Sequence, residues 1–220
     1  MKQENLKTDW FKTFWIPKKI KYTGEQLSSL FAYLNYGVLG PSAVAFIGPC
    51  DISFANMKDG EDLREKAVIA GHEMLHFIFE IFDERLITGV FLQRLFAAII
   101  KDLLEEHIYA DGVQLNSLPL FARPKSQSQK TKKSESMQLR LHRSGDDLYW
   151  GQAKLSISIA TRSAAGVLVH FAVNITNEGT PVETVSLNDF GIEAKSFAKA
   201  ALAKLQVEMN SIMQATYKVR

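Results

Sequence analysis

Residues 145–181 read GDDLYWGQAKLSISIATRSAAGVLVHFAVNITNEGTP, and this stretch decides the fold. Leu148–Trp150 and Lys154–Thr161 alternate apolar and polar side chains, the period-2 pattern of strands with one face buried. Ser163–Gly166 supplies turn residues, and Val167–Ile175 runs back as the hairpin partner. Asn177–Pro181 is a loop. The consequence for chemistry is positional. Asp146 and Asp147 stand at a turn into a strand, Lys154 opens the next strand, and Asn174 ends the return strand. All four therefore lie near the ends of neighbouring strands. A lysine, two carboxylates and an amide converging there can bind a phosphate or carboxylate, with the acids holding magnesium. Each of these residues is also common at turns, where it need do no more than cap the backbone.

Working outward, Leu187–Ile192 leads into a final helix over about Glu193–Met213. Upstream, Val90–His107 is the clearest helix, with Phe91, Leu95, Ala98, Ile99, Leu103 and Leu104 along one side. Glu73–Phe82 reads as a strand, with a helix as the competitor. Asp59–Lys66 is a charged turn or short connector. Ala43–Ile47 is a short buried strand ended by Gly48 and Pro49, so Cys50 falls on a loop. Thr23–Tyr36 is read as a first helix capped by Thr23. Residues 1–22 form a basic, aromatic arm, whose aromatics pack an edge element while its lysines stay in water. Residues 124–136, PKSQSQKTKKSES, are polar and basic and read as a flexible loop. The order of helices and mainly antiparallel strands is that of one α+β domain over residues 1–220.

Composition narrows the classes. Of 220 residues, 46% are hydrophobic and 23% charged, enough apolar content for a core. The formal net charge of +2 is too mild to imply nucleic-acid or membrane binding. Cys50 is the single cysteine, so no internal disulfide can form. The amino terminus lacks the apolar core of a signal peptide. No uncharged apolar run spans a membrane, since Gln93 and Arg94 interrupt Leu86–Ile100. The expected location is cytoplasmic.

The string DDLYWGQAKLSISIA followed by VHFAVNI resembles the core of the biotin and lipoate protein ligase superfamily. That family shows an Asn-Asp pair, a hairpin, a lysine before an aliphatic strand and a return strand ending in Asn. Over nearly the whole chain, the strings GDDL, KLSISIAT, HFAVNI and GTPV also look like the family called domain of unknown function 366. The ligase resemblance implies a mixed, mainly antiparallel sheet packed with helices, of the class II synthetase-like kind. It implies an enzyme that activates or transfers a small carboxylic acid, with ATP and Mg2+ as cofactors. Lys154 would contact the acyl carboxylate and phosphate, Asp147 and Asp146 would hold magnesium, and Asn174 would orient the phosphate or acyl group. Asp146 replaces the family's Asn. The family's glycine- and arginine-rich loop corresponds here to DGEDLREKAVIAGHEML, in which Arg64 alone matches the family arginines. A binding module that kept the pocket and lost the reaction is therefore the second reading. The implied partner is a small acid or nucleotide; the lysines of 124–136 could separately contact an acidic carrier protein or RNA, against the ordinary reading of a solvated loop.

Two other motifs compete. HEMLH at 72–76 matches the zinc-protease pattern, in which His72 and His76 on a helix would bind zinc with Glu73 as base. On a strand the two histidines would lie about 13 Å apart, too far to share one metal. In the ligase-like reading, His76 or Glu80 instead faces a pocket beside Lys154 or fills a polar slot in the core. Cys50 could be a nucleophile with His76 or His170 as base, against its ordinary role as a small buried hydrophobe. His170 shares a strand face with Ala172 and Asn174, so it too could line the site.

Overall fold

The computed structural model describes residues 9–110 and 140–220. Residues 1–8 of the expected arm and the whole of 124–136 lie outside the described residues. A five-stranded sheet is built from β1 (Lys12–Trp15), β2 (Ser42–Asp51), β3 (Ala70–Ile81), β7 (Ser156–Arg162) and β8 (Val167–Asn174). Its order is β1-β2-β3-β8-β7, with β1 parallel to β2 and every other pairing antiparallel. A second, three-stranded sheet holds β4 (Leu141–Ser144), β5 (Asp147–Trp150) and β6 (Ala153–Lys154). The helices are α1 (Phe31–Tyr36), α2 (Gly60–Glu65), α3 (Leu86–Ala110) and α4 (Ala194–Thr216). This is the mixed α+β architecture that the sequence implies.

Strand alternation sorts side chains onto two faces. Leu75, Phe77, Phe79, Val169, Phe171 and Val173 point to the α3 side and join the larger core. Phe96 of α3 centres that core, edge-to-face with Phe77 and Phe79 at 4.8 Å and with Phe171 at 5.2 Å. Val44, Phe46, Met74, Ile78, Leu168 and Ala172 face the other way and meet Tyr22, Leu27 and Ala32 in a second cluster.

Three expectations are corrected by local chemistry. The helix expected over Thr23–Tyr36 is confined to Phe31–Tyr36. The buried Glu80 carboxylate accepts the Leu30 N–H at both oxygens (2.8 and 3.0 Å), and Leu30 sits in the left-handed region at φ 62°. That capture diverts the chain until one residue later. Asp59–Lys66 is more than a connector: the Asp59 side chain accepts from Glu61 N and Asp62 N and starts α2. β2 continues through Gly48 and Pro49 to Asp51, so Cys50 is on a strand and buried. The strand survives because Gly48 lets the Ile20 backbone approach closely. A Cβ there would stand 1.8 Å from Ile20 O.

Candidate functional site

A cavity of about 480 Å³ opens on the second face of the sheet, between β7, β8, the Tyr22–Leu27 segment and α2. Lys154, Asp146, Asp147, Asn174 and His170 all line it, so the strand-end convergence expected from the sequence is realised. Register explains Lys154. β5 and β6 pair Tyr149 with Lys154 across a short turn, and Asp147 lies two residues along the same face of β5. Lys154 Nζ is 2.8 Å from Asp147 Oδ2, with side chains 29% and 24% exposed. Burial pulls the ammonium down, but the Asp147 hydrogen bond and charge, with Tyr149 and Asp62, outweigh it and hold Lys154 above the ordinary lysine range. Burial pushes Asp147 up against the opposing pull of Lys154. At 2.8 Å the charged pair is the arrangement that the contact supports at neutral pH.

Asp146 is held differently. Its Oδ2 accepts from Gln93 Nε2 (2.6 Å) and Ser158 Oγ (2.7 Å), and Arg94 lies 3.4 Å from its Oδ1. The two acids therefore do not form a free chelating pair; each already has a partner. Asn174 is 4% exposed and donates its amide N–H groups to Lys154 O (3.1 Å) and Val185 O (3.3 Å). It clamps the strand that carries Lys154 and leaves only its carbonyl oxygen to accept from a ligand.

Arg64 does not belong to the site. It is exposed near the end of α2 and does not line the cavity. Its helix instead turns Asp59, Glu61, Asp62 and Glu65 to the cavity. Burial, with Asp59 nearby, pushes the Asp62 carboxyl up, and Lys154 works against that. Six carboxylates and two lysines, Lys58 and Lys154, line the cavity among the described residues.

The HEMLH segment is in β3, so the helix that the zinc reading needs is not formed. His72 is exposed beside Glu178, whereas His76 is wholly buried. Among the described residues no group of three or more His, Cys, Asp or Glu side chains is arranged to hold a metal ion. His76 does not line the cavity; it stands behind His170, whose Nε2 is 3.0 Å from His76 Nδ1. Glu80 fills a polar core slot at Leu30. Burial, with Asp51 adjacent, pushes the Cys50 thiol up to about 12, and Cys50 is not in the cavity wall, so the nucleophile reading has no thiolate and no access.

Sequence reasoning missed Gln93, Arg94, Asp62 and Ser158 as parts of the site. The signal for the first two was present: a Gln-Arg pair interrupts the apolar run of residues 86–100, and a polar side chain that such a run buries needs a partner.

No described helix is long and apolar enough to cross a membrane. A biotin protein ligase from Aquifex aeolicus in complex with biotin and ATP has a TM-score of 0.50 at 12% identity, over 90% of this chain and 70% of that one. That likeness shows a shared fold. A protein of unknown function from Pyrococcus horikoshi is much nearer in structure, with a TM-score of 0.78 and 30% identity over 96% of this chain and 98% of that one. An uncharacterized protein of Methanocaldococcus jannaschii is 27% identical over 192 residues, 84% of this chain and 73% of that one. The family model of the domain of unknown function DUF366 matches residues 11–121 and 129–220, and the chain belongs to that family.

Proposed function

We propose that the cavity binds a small carboxylic acid, with the carboxylate on Lys154 and the apolar body against Leu27, Met57, Ile157 and Ile159. The observation that carries this is the half-buried Lys154 ammonium at the cavity wall. An ammonium has three N–H donors, and Asp147 takes one of them. A ligand carboxylate can therefore join Lys154 without breaking the existing pair. Asn174 fixes the strand, so the ammonium is positioned before the ligand arrives.

Activation of that acid by ATP is the finer reading. Lys154 suits the charge that develops on an acyl phosphate. The acidic wall repels a bare triphosphate, so a nucleotide would enter as its magnesium complex. Asp147, engaged at Oδ2 only, would offer Oδ1 to the metal, and Asp146 would offer Oδ1 by giving up its contact with Arg94; phosphate oxygens would supply further ligands. The acidic α2 wall also favours the second reading, a binding module without the reaction. A thermal-shift screen with octanoate, biotin, lipoate and ATP–Mg2+, paired with acid-dependent pyrophosphate exchange, separates them. A bound acid at a hundred times its Kd adds about 2.7 kcal/mol of stability, and Lys154→Ala removes that gain. Exchange makes the protein an activating enzyme; stabilisation without exchange makes it a binding module. No stabilisation by any acid removes both.

A further inference from the structure

The buried histidine pair has a proton arrangement that its partners dictate. The Gly48 carbonyl can only accept, so the His76 Nε2 3.1 Å away carries the proton. Burial lowers the pKa of His76 to about 4, and burial together with His76 holds His170 well below its ordinary value, so both rings are neutral at pH 7. A neutral imidazole has one N–H, so His76 Nδ1 is a lone pair. The 3.0 Å contact then requires His170 Nε2 to donate. What is left on His170 is an unprotonated Nδ1, with no hydrogen-bond partner among the described residues.

His170 is 1% exposed and lines the cavity. Tyr22 stacks on its ring at 3.8 Å with the planes 13° apart, and Tyr22 and Phe46 flank His76 at 5.1 Å. The ring is therefore locked in orientation as well as in tautomer. On the β7 side its neighbours are apolar: Ile159 is its partner, and Ile157 pairs with Ala172 next along the face. Asn174 lies four residues further along β8, about 13 Å away.

We propose that His170 Nδ1 is the hydrogen-bond acceptor for a ligand that carries a neutral donor, a hydroxyl or an amide N–H, on an apolar body. A charged ammonium would lose too much hydration at this apolar end, and a plain alkyl group would leave the nitrogen unpaired. His76 is a positioning residue: it fixes the His170 tautomer and touches no ligand. This assignment uses nothing of Lys154, so it and the acid-binding reading fail separately.

The test is ring-nitrogen NMR of protein labelled with 15N-histidine, at a pH above 7, titrated with 1-hexanol and separately with 1-methoxyhexane. The alcohol can donate; the ether cannot. Both His170 and His76 should carry their proton on Nε2. Hexanol should move the His170 Nδ1 resonance and bind about five- to tenfold more tightly than the ether, and His170→Phe should erase the difference. A proton on His170 Nδ1 in the free protein overturns the proposal. So does an Nδ1 resonance that hexanol leaves unmoved, or equal affinity of the two probes for the wild type. The wild-type measurements stand even if the variant does not fold.

Discussion

The two faces of the five-stranded sheet come from the same strands and do opposite things. Toward α3, β3 and β8 present Leu75, Phe77, Phe79, Val169, Phe171 and Val173, all buried and apolar. On the other face the same strands present His76, Glu80, His170 and Asn174 between Met74, Ile78, Leu168 and Ala172, and of these polar groups His170 and Asn174 reach the cavity wall. One residue of register separates them. The closed face supplies stability by burial. The open face holds polar groups whose hydrogen bonds are assigned one by one, and it keeps a cavity that a tighter core would fill. The difference teaches where function can be afforded: β8 carries a dry row and a chemical row because α3 stabilises the sheet from behind.

The contrast is broken most severely from the closed side. Phe96→Ala removes the ring against which Phe77, Phe79 and Phe171 pack, and should cost about 3–5 kcal/mol in denaturant unfolding. Ile159→Ala, on the half-open cavity wall, should cost less than half of that; equal losses would mean that the two faces are equally packed.

Acid tests the open face. His76 is neutral and wholly buried, with its pKa lowered from 6.5 to about 4. The unfolded chain binds that proton first, so stability is full above about pH 6.5 and is lost as pH falls toward 4. At about 1.4 kcal/mol per pH unit this amounts to roughly 3 kcal/mol. His170, lowered in the same direction, adds to the loss. Chemical denaturation at pH 7.5 and pH 4.5 measures it, and His76→Phe should flatten the slope. A flat profile in the wild type would mean that the pair is solvated.

The smallest effect lies outside both faces. Lys204 and Glu106 pair at 2.6 Å between α4 and α3, but their side chains are 43% and 60% exposed. Lys204→Ala should change stability by less than about 0.5 kcal/mol. A larger loss would show that the helix layer depends on surface charge as well as on burial.

The hairpin of β7 and β8 was legible because its alternation is strong and its turn is marked by Ser163 and Gly166. α3 and α4 were legible from their apolar stripes, and β3 from a run of apolar and aromatic side chains. The helix over Thr23–Tyr36 was not, because its limit is set by Glu80, fifty residues away from Leu30. No local pattern records such a contact. At the site, the placing of Lys154, Asp147 and Asn174 together could be read from strand ends. The commitment of Asn174 to two carbonyls could not, nor could the seating of Asp146 on Gln93 and Ser158, since both depend on which segments meet in space. Arg64 illustrates the converse. Its position in the chain matches the family loop, but α2 turns it to solvent and turns four acids to the cavity.

The most direct test of the central claim is calorimetric titration of octanoate into the wild type and into Lys154→Ala at pH 7.5. Binding to the wild type that weakens at least tenfold in the variant, with the fold retained by circular dichroism, is the result expected of a carboxylate seated on Lys154. Equal binding to the two proteins, or none to the wild type, would contradict it.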